Sequence, residues 1–201
     1  MSSQGIGDLY ETSLLEDLQQ ATSQLYDEFS EDVMSDASII TREAYITHLR
    51  RFHDAARLCM QRIDWDRLSA LGLGHCDERR ARYKLMRQDL ESLGVEGPEQ
   101  TLDDSSEKVA GLSDELVIGT VYVLEGSIHV GRDIAAAFIK GRVGIKAKNT
   151  RFLSGFGIRT HARWQELMLW LDGQRWEQKR REVACSAAKD AFAILAKSLT
   201  P

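Results

Sequence analysis

The stretch LVIGTVYVLEGSIHVGRDIAAAFI, residues 116–139, decides the fold. Its Val and Ile content favours a strand by propensity, but it runs far beyond the 4–8 residues of a typical strand, so its length makes it a buried helix. It is also long enough to raise the question of a bilayer span. Glu125, His129, Arg132 and Asp133 lie near and beyond its middle, where each is expensive in lipid, so the stretch reads as the core helix of a soluble bundle. Ser113 starts it, since its side-chain oxygen caps orphan amides while Asp114 and Glu115 oppose the positive helix end. Gly126 and Gly131 each cost a helix about 1 kcal/mol relative to alanine. Their presence suggests that something approaches the backbone closely there.

The segments on either side are also helical. Over residues 14–33, Leu14, Leu18, Leu25 and Phe29 recur at three- and four-residue multiples, until SDAS breaks the pattern. Thr41 can cap a second helix, in which Tyr45, Leu49, Phe52, Ala56, Cys59 and Ile63 step by four and three in alternation. DWDRLSALGLG predicts a short helix, and DERRARYKLMRQDLESLG predicts another that Gly94 ends as a C-terminal cap. Residues 95–112 turn polar and read as a connection. After NTRFLSGFG come helices over 160–171 and about 174–199. With only two prolines in the chain, the expectation is an all-α, single-domain helical bundle over 14–199, preceded by a flexible N-terminus over 1–13.

At 201 residues, 43% hydrophobic and 28% charged, the chain can bury one good core. A net charge of −5 argues against nucleic acid as the partner, because phosphate affinity comes from clustered Lys and Arg. The basic runs ERRARYK (78–84) and QKRR (178–181) read as solvated helix faces. Cys59, Cys76 and Cys185 form no CxxC pair, which fits a reducing, cytoplasmic setting. The N-terminus shows no basic region followed by an apolar one, hence no secretory signal. No Asp or Glu has a histidine three residues later, which speaks against a diiron site. No GxSxG elbow or P-loop occurs.

Several stretches in order, LxxAT (18–22), TREAYxxxLRRFH (41–53), ERRxRYxxMRxDLxxLG (78–94), YVLEGS (122–127) and RFxxGFG (151–157) with Trp164 after it, resemble the bacterial heme oxygenases. The resemblance covers about residues 18–170. It implies a heme oxygenase-type bundle holding heme, both substrate and cofactor, between a proximal helix near the N-terminus and a glycine-bearing distal helix. It also implies an oxidoreductase that opens heme to biliverdin, carbon monoxide and iron. Gly126 and Gly131 match two distal glycines, where backbone lies over the porphyrin face. Ser127 matches a position where animal-type relatives carry a water-organising aspartate. Gly126, Ser127 and Gly131 are therefore the candidate catalytic positions. Turnover would need an external electron donor, a ferredoxin or a flavoprotein reductase, and the product implies a biliverdin acceptor such as a bacterial phytochrome. No membrane partner is expected.

The chain departs from that pattern at the iron. Where the family reads approximately LRxATxxxHxxL, this sequence has LQQATSQLYDEF, so Tyr26 stands at the axial histidine and becomes the candidate iron ligand. A phenolate can ligate heme iron, but it favours the ferric state and so opposes the reduction that oxygenation needs. Its ordinary pKa near 10 calls for a promoting cation, and the first helix offers no Lys or Arg. On the distal side EGSIHVG replaces EGSxxGG, so Val130 stands where a glycine is expected and crowds the contact. Gln19 and Ser23 occupy the face where basic residues would hold the propionates.

Other residues carry two readings. His129 either faces the pocket as an alternative ligand or replaces a leucine on the outer side of its helix. It is also spaced i, i+4 from Glu125, which suits a hydrogen bond along the helix. Ser127 either orders water or bonds back to its own helix. Trp164, Trp170 and Phe156 read as core, and His161 as exposed. Two functions remain open: a heme oxygenase, and a non-catalytic heme- or tetrapyrrole-binding or interaction protein that kept the bundle.

Overall fold

Ser13 begins the first helix with a reciprocal cap: its hydroxyl accepts from Glu16 N at 3.2 Å, and its own backbone N–H donates to the Glu16 carboxylate at 2.9 Å. The structure, a computed structural model, describes residues 12–96 and 111–199. Residues 1–11 of the expected flexible N-terminus and 97–110 of the expected polar connection lie outside the described residues.

The chain is all-α, in the order α1 (Leu14–Asp36), α2 (Arg42–Met60), α3 (Trp65–Ala70), α4 (Cys76–Arg82), α5 (Lys84–Ser92), α6 (Asp114–Lys140), α7 (Thr160–Asp172) and α8 (Gln178–Leu199). Two 3₁₀ turns, Ala147–Asn149 and Gly157–Arg159, lie between α6 and α7. Thr41 and Ser113 cap as their sequence context suggests, accepting from Ala44 N at 3.0 Å and Leu116 N at 3.3 Å. Gly94 ends α5 at φ 68°, where Val95 N reaches back to Leu90 O at 3.1 Å.

Three boundaries differ from expectation. α1 continues through Ser35 and Asp36, because Ala37 N still closes a turn on Val33 O at 2.9 Å. The single helix expected over residues 77–94 is two, divided at Tyr83, whose ring is buried beside Phe152 and Trp65. α8 starts at Gln178, since Gln174 N bonds back to Leu171 O at 3.1 Å and still belongs to the end of α7.

α6 is the buried centre and α8 is its main partner, with α1 and α2 also packed on α8. Ala184, Ala187, Ala188 and Ala191 form the small-residue face of α8. A Cβ on Gly119 would collide with the Ala184 carbonyl oxygen and meet Ala187 Cβ at 2.9 Å, so this glycine lets the two backbones cross closely. None of the described helices is long and apolar enough to cross a membrane.

Candidate functional site

α1 and α6 run past each other and leave a slot of about 330 Å³ between them, closed at its sides by α7 and α8. From α1 come Gln19, Thr22, Ser23, Tyr26 and Asp27; from α6 come Tyr122, Val123, Gly126 and His129; Trp164 and Phe192 complete the lining. Tyr122, Gly126 and His129 stand at i, i+4 and i+7, so they share one helix face. A slot of this volume sits at the small end of organic-ligand pockets, and it sets the aromatic rings of Tyr26, Tyr122, Trp164 and Phe192 beside polar side chains from α1.

Trp164 shapes the α6 wall. A Cβ placed on Gly126 would touch its indole at 3.4 Å, an ordinary contact. The indole also lies 6.0 Å from the Tyr122 ring, and the edge of His129 meets it at 5.2 Å and 80°. Trp164 therefore belongs to the slot wall, where composition alone suggested core.

Arg79 holds this wall in place. It donates through Nη1 to Glu125 Oε2 at 2.6 Å and through Nη2 to the Arg163 carbonyl at 2.7 Å. Glu125 immediately precedes Gly126 and Arg163 immediately precedes Trp164, so one guanidinium ties together both partners of the glycine–indole contact. Arg82 reaches the second oxygen of Glu125 at 3.5 Å and the Tyr83 hydroxyl at 2.9 Å, with its guanidinium over the Tyr83 and Phe152 rings at 4.6 and 4.8 Å. The expected solvated face of ERRARYK is thus corrected: Arg79 is 0% and Arg82 4% exposed, because the buried Glu125 carboxylate draws both cations inward. Arg181 of the second basic run is also buried, paired with Asp17 at 2.7 Å. This network takes the carboxylate of Glu125, so the hydrogen bond considered between Glu125 and His129 does not form.

The electrostatics of the slot are acidic. Burial pushes the Tyr26 phenol up, the Ser30 hydroxyl works the other way, and the Asp133 and Asp27 carboxylates add to the rise. Burial likewise raises Tyr122, and the Thr22 hydroxyl works the other way. His129 is half-buried, and burial first and then Arg132 hold it below the usual imidazole value, with Asp133 opposing. The ring therefore stays neutral near pH 7, and neither nitrogen has a hydrogen-bond partner among the described residues.

The remaining candidates are placed as follows. Ser127 donates to Leu124 O at 2.8 Å, bonding back to its own helix. Val130 is 3% exposed within the core, and a Cβ on Gly131 would lie 3.2 Å from Leu153 Cδ2, so Gly131 seats the loop after α6. None of these three lines the slot, whereas Tyr26, Gly126 and His129 do. His161 is exposed. Among the described residues, no three His, Cys, Asp or Glu side chains cluster as a metal site. The sequence reading missed Tyr122, Asp27 and Phe192 as lining and Arg79 as support. The only signal for Arg79 was its place in ERRxRY.

No protein-family model and no curated protein matches the sequence. Among solved structures, the chain is similar to the NO- and CO-bound heme oxygenase from Neisseria meningitidis, with a TM-score of 0.69 and 20% sequence identity. The match covers 94% of this chain and 93% of that one. The chain therefore has the heme oxygenase fold.

Proposed function

We propose that this chain is a tetrapyrrole-binding protein of the heme oxygenase fold, that it holds heme in the slot between α1 and α6, and that it does not open the ring by the ordinary heme oxygenase route. One observation carries the reading: the residue that α1 turns into the slot opposite Gly126 is Tyr26, a phenol in acidic surroundings.

The residues present suit heme on the α6 side. The Tyr122 ring, the Trp164 indole packed over Gly126 and the neutral imidazole of His129 offer an aromatic wall with one good iron donor. The α1 side suits it poorly. A phenol raised by burial and by two carboxylates keeps its proton, and no Lys or Arg lines the slot among the described residues to ionise it or to hold propionates. Bound heme would supply the redox and oxygen chemistry. The chain's own groups orient the ring, exclude water with Tyr122, Trp164 and Phe192, and keep a proton on the Tyr26 oxygen.

A second reading, a working heme oxygenase, is favoured by the slot lying between α1 and α6, the two helices between which the family resemblance expects heme. Only that reading calls for a ferredoxin or flavoprotein reductase and for a biliverdin acceptor. Titrating the purified chain with hemin while recording the Soret band, then adding a reductase system, separates the two. We expect a complex and little or no biliverdin. Absence of any complex would sink the tetrapyrrole reading, and brisk biliverdin release would sink its non-catalytic half.

A further inference from the structure

We infer that the slot between α1 and α6 is a binding site for a compact organic ammonium ion, its cationic head at the α1 rim and its apolar body against the α6 wall. This goes beyond the tetrapyrrole reading and does not rest on it, although both ligands would take the same slot.

α1 sends two rows of side chains to the slot. Gln19, Ser23 and Asp27 stand at i, i+4 and i+8, are exposed, and form the rim, while Thr22 and Tyr26 lie one row deeper. Opposite them Tyr122 and Val123 are buried on α6, and Phe192 is buried on α8. The mouth is therefore polar and acidic and the floor apolar, which matches a molecule with one charged end.

The charge around the slot has one sign. Asp27 lines it, Asp133 on α6 acts on the Tyr26 phenol, and no Lys or Arg lines it among the described residues. Arg132 acts on His129 but is exposed and outside the lining. A cation within about 6 Å of a Trp or Tyr ring centroid is also attracted by the ring itself. Tyr26, Tyr122 and Trp164 bring three such rings, the last two 6.0 Å apart and 32° from parallel.

Size points the same way. The slot holds about 330 Å³, and the Trp164 indole already covers Gly126, where an added Cβ would lie 3.4 Å from it. A wide macrocycle requires that indole to move, and its propionates meet Asp27 with no cation beside them. A compact ammonium ion requires neither concession.

The test uses three probes that share one body and differ in charge: benzylammonium, benzyl alcohol and benzoate. Each is titrated calorimetrically into the full chain near neutral pH and at low salt. We expect benzylammonium to bind about tenfold or more tighter than benzyl alcohol, and benzoate to bind weakest. Asp27→Asn should weaken benzylammonium about threefold, since an exposed pair is worth little. Tyr26→Leu should weaken it by about fivefold or more while leaving benzyl alcohol within about twofold. Far-UV circular dichroism checks the fold of both variants, and the ranking of the three probes on the parent needs no variant. No saturable benzylammonium binding up to about 10 mM, equal affinity for the alcohol or benzoate, or an unchanged preference in both variants would overturn the inference. A chain that binds hemin and ignores benzylammonium overturns this inference alone; one that binds benzylammonium and gives no hemin complex overturns the tetrapyrrole reading alone.

Discussion

Arg79 on α4 and Glu125 on α6 meet at 2.6 Å with side chains 0% and 2% exposed, and the same guanidinium holds the carbonyl that precedes Trp164. A surface pair of this kind is worth little, but a buried one behaves differently, because removing one partner strands a charge out of water. The contact between Gly126 and Trp164 therefore depends on a charge pair that never touches the slot.

Replacing Glu125 with Leu should cost about 3–5 kcal/mol of stability, since Arg79 and Arg82 would both lose their buried carboxylate. Urea denaturation measures it. The double variant Arg79→Met with Glu125→Leu should recover part of the loss, and a double variant less stable than Glu125→Leu alone would show that the pair is not the reason for the burial.

Two glycines of the same helix should respond differently to alanine. Gly119→Ala forces a Cβ into the Ala184 carbonyl and should destabilise by about 1–3 kcal/mol without any specific effect on ligand binding. Gly126→Ala makes only an ordinary contact with Trp164 and should gain up to about 1 kcal/mol of helix propensity. Thermal midpoints of the two variants decide this, and equal losses would contradict the assigned roles.

Gly126→Val should narrow the slot against the Trp164 indole and weaken hemin binding by about tenfold or more, while the fold survives with a strain of about 1–3 kcal/mol. Soret titration beside a melting curve reads both quantities. Unchanged hemin affinity in a folded variant would move the ligand elsewhere.

Tyr26→His should restore a donor on the side where heme oxygenases place their axial ligand. With a reductase present, its rate of biliverdin formation should exceed the parent's, monitored as growth of the biliverdin band and release of iron. A variant that binds hemin but turns over no faster than the parent would mean that the α1 ligand is not what limits this chain.

The pH dependence follows from His129. Its folded pKa lies below the ordinary 6.5, so the unfolded chain takes up the proton first on acidification. Its contribution is present above about pH 6.5 and is lost as pH falls through that value toward the folded pKa. The drop in melting temperature from about pH 7.5 to about 5.5 should therefore shrink in His129→Gln. An identical drop in both proteins would mean that other groups carry it.

Much of the architecture was legible along the chain because its causes are local. Caps at Thr41 and Ser113, the glycine stop at Gly94 and the four-and-three stepping of α2 each act within one or two turns, so composition and spacing suffice to place them. Tyr26 was likewise visible as the residue that α1 would offer to a slot. The basic runs were misread because such a run looks solvated whenever the acid that buries it is far away in sequence.

By itself, then, the amino-acid order determined helices, caps, the length of α6 and the phenol on α1, all set by interactions between near neighbours. The tertiary structure alone decided that Arg79 would be buried against Glu125, 46 positions away, and bonded to the carbonyl of Arg163, 84 positions away. It also decided that Trp164 would cover Gly126 while Gly119 served the crossing of two helices. Those choices depend on which faces meet once the bundle closes, and helical periodicity specifies a face without specifying its partner.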